Sequence, residues 1–258
     1  KEVVILGSGD IGMIMARRLT LEGAHVKAVF EIQPYPSGLP RNIEQCLNDY
    51  GIPLYLSHTV TAIHGDKRLT GVTVSQVDEH MKPIPGTEKE YDCDTLILSV
   101  GLIPENELSL DAGVTLDGRT KGAEVDEYFQ TDRPGIFAAG NVLHVHDLVD
   151  FVSMEAERLA DAAAEYVDKG CLPECPVVIR TDCFINHTVP QRISGKEDCR
   201  LSLRVNRPFK DCRIVVRQDG TEVAFKKMKK AIPAEMIQIP LKAEKLSGCK
   251  ELEVSVEW

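Results

Sequence analysis

The first hundred residues alternate short apolar runs with one amphipathic stretch. Residues 3–6 and 25–30 are apolar runs, and between them residues 13–19 repeat apolar side chains at helical spacing. This order predicts a strand, a helix and a parallel strand, the repeating unit of a doubly wound α/β sheet. Further along we expect a short helix, two β-rich runs that form hairpins, and a buried strand, at residues 41–50, 53–63, 69–77 and 94–101.

The last eighty-odd residues follow a different pattern. Apolar and polar residues alternate at 201–205 and 213–217, and Gln218-Asp219-Gly220-Thr221 is a strong hairpin signal. With further β-rich runs at 222–225, 236–241 and 252–258, this spacing predicts a small all-β, sandwich-like module. The lysine-rich run 226–230 indicates a solvated strand that protects a sheet edge, or alternatively a docking surface for an acidic partner.

Charge changes at the same place as the hydrophobic pattern. The chain has 258 residues and a net charge of −10, of which residues 1–170 carry −14 and residues 171–258 carry +4. The acidic balance argues against a general nucleic-acid binder, and no apolar run is long enough for a membrane span. The chain begins at Lys1 without an initiator methionine or a signal peptide, so we expect a cytoplasmic protein whose beginning has been cut away.

Cysteines are concentrated in the basic part of the chain. Six of the eight lie at positions 171, 175, 183, 199, 212 and 249, and no C-x-x-C pair occurs. Because nothing indicates secretion, buried reduced thiols are the expectation, with disulfides or a metal site as the alternatives.

A glycine-rich turn joins the first predicted strand to the first predicted helix. Its residues are Gly7, Ser8, Gly9, Asp10, Ile11 and Gly12. In a G-x-G-x-x-G turn, the first glycine allows the tight bend, the second lets backbone approach a pyrophosphate, and the third lets helix and strand pack closely. The helix N-terminus then offers unpaired N–H groups to phosphates. Asp10 adds an acid at this site with no obvious gain for binding.

Glu31 ends the second predicted strand, about 20 residues after the turn. An acid there accepts hydrogen bonds from the adenosine ribose and repels a 2′-phosphate, so NAD(H) is favoured over NADP(H). Glu31→Arg should therefore shift the preference toward NADP(H). The alternative is a glycine-tight turn in a nucleotide-free doubly wound fold.

Two later motifs carry a family resemblance. Residues 99–106 (SVGLIPEN) and 131–142 (TDRPGIFAAGNV) follow the glycine-rich turn in an order similar to that of the FAD-dependent pyridine-nucleotide (disulfide) oxidoreductase family. The thioredoxin-reductase-like branch is closest in spacing, and the NAD- or FAD-binding subunits of cyanide synthase, sarcosine oxidase and opine oxidase also look similar. The resemblance covers residues 1 to about 167.

The resemblance implies FAD and NAD as cofactors and a chain of three parts. These are a Rossmann-like NAD-binding domain (1–100), the returning C-terminal segment of an FAD-binding Rossmann-like domain (101–170), and the β module (171–258). Gly101 ends a strand where backbone can approach a ligand. Gly140 would lie against the FAD pyrophosphate, and Asn141 replaces the usual ribitol-binding aspartate. The upstream half of the FAD domain would precede Lys1, so we expect the chain to bind NAD(H) and purify colourless.

The segment around residues 144–150 leaves several interpretations open. Asp150 and Phe151 match the start of the family helix that faces the flavin, where a helix N-terminus would favour the anionic reduced form. His144 and His146, with two aspartates, suggest a metal site, but the spacing fits no standard zinc site and we expect no metal. Asp147 or Asp150 could instead cap the helix. A histidine near the flavin could act on substrate protons.

Two functions from different classes follow. In the first, a flavoprotein oxidoreductase passes hydride from NADH through FAD to a further acceptor, which could be a disulfide, a quinone or a partner dehydrogenase subunit. In the second, a non-catalytic nucleotide-binding scaffold recruits a partner through the β module. We expect a homo-oligomer in either case, and the sequence identifies no catalytic residue.

Overall fold

The computed structural model describes residues 1–246, 248 and 250–258, and the chain divides into two compact units, Lys1–Gly101 and Leu102–Trp258. The further division of the second unit at residue 170 stays a prediction. Within the described residues, no helix has both the length and the apolar character that crossing a bilayer requires.

The first unit is an α/β domain, as the hydrophobic pattern predicts. Its helices and strands are β1 (Glu2–Leu6), α1 (Asp10–Leu21), β2 (His25–Glu31), α2 (Pro40–Cys46), β3 (Leu54–Leu56), β4 (His58–His64), β5 (Gly71–Gln76), β6 (Lys89–Asp92) and β7 (Thr95–Leu98). A parallel sheet has the strand order β3-β2-β1-β7, and β4, β5 and β6 form a separate antiparallel sheet. A 3-10 turn, Asn48–Tyr50, follows α2.

Strand β1 has both faces buried, which explains its continuous apolar run. Val3 and Ile5 point to one face and pack with Met13 of α1. Val4 points to the other face and packs with Val72 of β5. Because alternate side chains of a strand face opposite sides, β1 joins the helical layer and the antiparallel layer in one domain.

The second unit begins with irregular chain, one short helix and one long helix, and continues as β structure. Its helices and strands are α3 (Glu107–Asp111), α4 (Val149–Lys169), β8 (Val177–Thr181), β9 (Ile185–Val189), β10 (Arg192–Ile193), β11 (Cys199–Val205), β12 (Phe209–Gln218), β13 (Thr221–Ala231), β14 (Ile237–Leu241) and β15 (Glu251–Glu257). Two 3-10 turns, Gly140–Val142 and Ala243–Lys245, complete it.

The β strands of this unit form two sheets around one core, in agreement with the predicted sandwich-like module. The sheets have the orders β10-β8-β15-β12-β13 and β14-β11-β9. Leu201 and Leu203 from one sheet and Ile214 and Val216 from the other belong to the same buried cluster. The predicted hairpin is confirmed, since Gln218 pairs with Thr221 between β12 and β13. The parallel pairing of β8 with β15 is not visible in the local pattern.

Strand β13 forms one edge of the larger sheet and carries the lysine-rich run. All four lysines in residues 226–230 are exposed, so the prediction of a solvated edge strand is confirmed. Charged residues on an edge strand oppose pairing with a further strand. The alternative use as a docking surface stays untested.

The expectation of buried thiols is wrong for part of the cysteine set. All seven described cysteines are free, but Cys171 and Cys183 are exposed, whereas Cys212 is buried in the sandwich core. The two exposed thiols lie in connecting segments, outside the strands, where no apolar layer covers them. Cys249 lies outside the described residues.

Candidate functional site

The glycine-rich turn connects β1 to α1, and two of its glycines are required by the backbone. Gly7 has a φ of +99°, and a Cβ there would lie 2.0 Å from the carbonyl oxygen of Ser99. A Cβ on Gly12 would lie 2.7 Å from both Gly7 O and the Ser99 side chain. Gly9 is the N-cap of α1 and has only ordinary contacts at its Cβ position. The turn therefore holds the N-terminus of α1 close to the ends of β1 and β7.

The carboxylate of Glu31 is buried against this turn, with 3% of the residue exposed. Its Oε2 accepts hydrogen bonds from Ser8 N at 3.0 Å, from Ser8 Oγ at 2.6 Å and from Ser37 Oγ. Its Oε1 accepts one from Gln33 N at 2.9 Å. The oxygens that the sequence assigns to ribose hydroxyls are thus bound by the chain's own donors, and a ribose has to compete with Ser37 for them.

Asp10 has a structural role that the sequence did not reveal. Its Oδ1 accepts hydrogen bonds from Leu39 N at 2.8 Å and from Asn42 Nδ2 at 2.6 Å. Gly38 lies so close that a Cβ on it would be 2.9 Å from Asp10 N. The acid in the first turn of α1 therefore fixes residues 38–42 beside the helix N-terminus, where its charge is also favourable for the helix dipole.

Ile11 and Gly101 complete the predicted residues of the first unit. Ile11 is 70% exposed in the first turn of α1. Gly101 has a φ of +97°, and a Cβ on it would meet nothing within 4 Å. Both residues therefore leave space for a ligand.

In the second unit, Gly140 and Asn141 begin the 3-10 turn that precedes α4. Gly140 is buried with a φ of +73°, and its N–H donates to Glu155 Oε1 at 2.7 Å. Asn141 is exposed, and its Oδ1 accepts a hydrogen bond from His146 N at 3.1 Å. Asn141 Oδ1, which stands in the place of the family's ribitol-binding carboxylate, therefore already accepts a hydrogen bond from within the chain.

Helix α4 begins at Val149, and neither predicted aspartate caps it. Its N-cap is Leu148, without a side-chain hydrogen bond. The Asp147 carboxylate instead accepts from Arg204 Nη2 of β11 at 3.0 Å, in a pair whose side chains are 12% and 11% exposed. The buried arginine explains why Asp147 does not cap the helix, and Asp150 lies inside the first turn, past the capping position, so the capping prediction is wrong for both. Asp150 is exposed in the first turn and Phe151 is half-buried.

Two histidines and one glutamate form a buried cluster at this turn, which we call the histidine–glutamate cluster (His144, His146, Glu155). His144 Nε2 lies 2.8 Å and His146 Nε2 lies 3.3 Å from Glu155 Oε2, and the side chains are 1%, 2% and 8% exposed. Burial alone would raise the pKa of Glu155, but the hydrogen bonds from both imidazoles lower it to about 2. Burial lowers the pKa of His144.

The sequence suggested the two histidines but missed Glu155. The glutamate lies eleven residues after His144, on the face of α4 that is turned toward the 3-10 turn, and it is one of the buried residues of that helix. A glutamate on the helix face that also carries the buried Ala162 is the signal, but the pattern alone does not say which residue the glutamate contacts.

The parallel sheet and its glycine-rich turn define the first unit as a Rossmann-like α/β fold, and the second unit contains a β sandwich. A family model described as pyridine nucleotide-disulphide oxidoreductase matches residues 1–165. The chain therefore belongs to the pyridine nucleotide-disulphide oxidoreductase family.

Curated relatives include the glutamate synthase [NADPH] small chain of Halomonas elongata, which is 26% identical over 183 residues, 65% of this chain and 39% of that protein. The NADH oxidase of Methanocaldococcus jannaschii is 31% identical over 163 residues, 60% of this chain and 32% of that protein. The chain thus spans less than half the length of these relatives.

Solved structures of reductases are also similar to part of the chain. The thioredoxin reductase of T. acidophilum is 29% identical with a TM-score of 0.53, covering 66% of this chain and 53% of that one. A ferredoxin reductase from Rhodopseudomonas palustris shares the fold, at 20% identity and a TM-score of 0.54, over 95% of this chain and 57% of that one.

Proposed function

We propose that the chain is part of a flavoprotein oxidoreductase that passes hydride and electrons between NAD(H), FAD and a further acceptor or partner dehydrogenase subunit. The observation that carries the proposal is the family match over residues 1–165, combined with a glycine-rich turn that leaves no room for side chains at Gly7 and Gly12. When bound, the two cofactors supply the redox chemistry. The relatives are named for NADH in one case and NADPH in another, so the preference for NAD(H) is our own inference from Glu31.

In this proposal the residues of the first unit bind and orient the dinucleotide. The N-terminus of α1, with exposed Ile11 beside it, receives the pyrophosphate. Glu31 faces the adenosine ribose and exchanges its hydrogen bond from Ser37 for one from a ribose hydroxyl. Asp10 keeps residues 38–42 in place and, with Glu31, opposes a 2′-phosphate by like charge.

In the same proposal, residues of the second unit bind the flavin. Gly140, Asn141 and the first turn of α4 at Asp150 and Phe151 are the residues that we assign to the flavin. Gly140 has a left-handed backbone conformation, with a φ of +73°, which favours glycine. Asn141 binds the flavin after exchanging its hydrogen bond from His146 N for one from a ribitol hydroxyl.

A pair of charge substitutions tests the pyrophosphate assignment without disturbing the fold. Ile11 is 70% exposed in the first turn of α1, and Ile14 is 44% exposed one turn later. A carboxylate at position 11 would repel the pyrophosphate by about 1–4 kcal/mol at contact distance, so Ile11→Glu should raise the Kd for NADH about fivefold or more. Ile14→Glu adds the same charge farther away and should change it less than about threefold.

Both variants and the unchanged chain are titrated with NADH by isothermal calorimetry, and far-UV circular dichroism confirms that each is folded. Equal Kd values for the two variants would remove α1 from the proposed site. Failure of the unchanged chain to bind NADH would overturn the dinucleotide assignment itself.

A further inference from the structure

The histidine–glutamate cluster brings three metal-ligating groups to one point in the second unit. One nitrogen from each imidazole and one oxygen of Glu155 all lie within 4.8 Å of one another. The three side chains are nearly closed to solvent, at 1%, 2% and 8% exposure. The cluster uses no residue that we assign to the dinucleotide.

The carboxylate of Glu155 has no arginine or lysine partner among the described ion pairs. Its described ion-pair partners are His144 and His146, while the nearby Arg204 guanidinium is paired with Asp147. A buried anion is costly unless a cation compensates it. Two imidazoles and one carboxylate around a common point carry a net charge of −1 when the imidazoles are neutral, which a divalent cation reverses to +1.

The geometry leaves the ligand atoms available. Both Nε2 atoms face Glu155 Oε2, and both Nδ1 atoms are buried without a hydrogen-bond partner, so a ring that ligates through Nε2 carries its proton on an Nδ1 that has no acceptor. The other oxygen of Glu155 is held by Gly140 N at 2.7 Å, which orients the carboxylate toward the two rings. Helix α4 and the 3-10 turn thus fix the ligands from both sides.

Two of the three distances between ligand atoms are close to those of a metal site, and for the third, one nitrogen of each imidazole lies within 4.8 Å of the other ring's. Two ligands at about 2.1 Å from a tetrahedral ion lie about 3.4 Å apart. The Nε2 of His146 is 3.3 Å from Glu155 Oε2, and that of His144 is 2.8 Å from it, so one pair has to open by about 0.6 Å.

We propose that His144 and His146, through Nε2, and Glu155, through Oε2, bind a divalent transition-metal ion such as Zn²⁺. Three protein ligands leave a fourth position for solvent or for a ligand from outside the chain. On binding, the metal takes the place of the proton on each Nε2: a neutral imidazole then carries its proton on Nδ1, and an imidazolium releases one proton to the solvent.

Cobalt(II) is the probe for this site, because it accepts the same ligands as zinc and its visible absorption reports their number and type. The purified chain is freed of metal with a chelator and titrated with Co²⁺, without NADH or FAD. We expect one Co²⁺ per chain, the bands of a four- or five-coordinate nitrogen and oxygen site, and displacement by Zn²⁺. His146→Gln and Glu155→Gln should each weaken binding about tenfold or more. His80→Gln, which removes a side chain that is 73% exposed, should bind like the unchanged protein.

Thermal unfolding with and without metal supplies a second measurement, since an ion that binds only the folded state raises Tm. We expect the rise in the unchanged chain and in His80→Gln, and its loss in the two cluster variants. Absence of Co²⁺ binding by the unchanged chain would overturn the proposal. Binding that survives both cluster substitutions, or a sulfur-to-cobalt charge-transfer band, would place the ion elsewhere. None of these outcomes depends on whether the chain binds a nucleotide.

Discussion

Replacing Glu31 by arginine should destabilise the first unit before it changes the choice of cofactor. The substitution is the direct test for an acid that selects NAD(H) over NADP(H). In the folded chain, however, this carboxylate is 3% exposed and accepts four hydrogen bonds from Ser8, Gln33 and Ser37. Arginine offers no acceptor, so each of these donors loses its partner.

The size of this destabilisation follows from the donors whose direction is fixed by the backbone. The hydroxyls of Ser8 and Ser37 can rotate toward other acceptors, but the backbone N–H groups of Ser8 and Gln33 cannot. Each hydrogen bond to a charged group contributes about 1.5–3 kcal/mol, so the two backbone bonds together account for about 3–6 kcal/mol. Because folded proteins are stable by only about 5–15 kcal/mol, Glu31→Arg should lose a large part of that stability.

Glu31→Gln is the matched variant. Its amide oxygen can keep the bonds from Ser8 and Ser37, and only the bond from Gln33 N is lost, so we expect a cost of about 1–3 kcal/mol. Urea unfolding followed by circular dichroism measures both costs, and calorimetry with NADH and NADPH measures the preference of each variant that remains folded. If Glu31→Arg unfolds at the same urea concentration as the unchanged chain, the buried network does not stabilise the unit and the reasoning fails.

Three further substitutions test the second unit. Burial raises the pKa of Asp126 to about 6, so the folded state loses stability as the pH rises from about 4 to 6. Asp126→Asn should therefore add up to about 3 kcal/mol to the free energy of unfolding at pH 8 but little at pH 4, as measured by urea unfolding. An equal gain at both pH values would contradict this. Arg204→Met leaves the Asp147 carboxylate unpaired and should cost about 3–5 kcal/mol, measured in the same way. Gly122→Ala places a Cβ 1.8 Å from Leu143 O and should lower Tm, whereas Gly118→Ala, with nothing within 4 Å, should leave it unchanged.

The sequence predicted the parts of this protein that depend on short stretches of chain. The glycine-rich turn, the hairpin at residues 218–221 and the solvated strand β13 each follow from local residue types. The reason is that a positive φ, a tight turn or an exposed edge limits which residues fit at that position.

The parts that the sequence did not predict depend on partners far along the chain. Asp10 has its role because it meets Leu39 and Asn42, which lie 29 and 32 residues away. Asp147 does not cap α4 because Arg204, 57 residues later, takes its carboxylate. Residue types alone do not predict such contacts between distant residues. The same aspartate in a loop before a helix is a good cap when no buried cation competes for its carboxylate.

The cluster at α4 and the residues that we assign to the flavin are joined by two hydrogen bonds of different kinds. Glu155 binds Gly140 N through its side chain, whereas His146 binds Asn141 Oδ1 through its backbone N–H. His146→Gln therefore removes a ring from the cluster but keeps the bond to Asn141, and Glu155→Gln replaces the carboxylate that accepts from Gly140. A change in flavin binding that occurs only in Glu155→Gln would consequently act through the position of Gly140. An effect shared by both variants would act through the cluster as a whole, and the pair separates a positioning role of Glu155 from a role of the buried cluster.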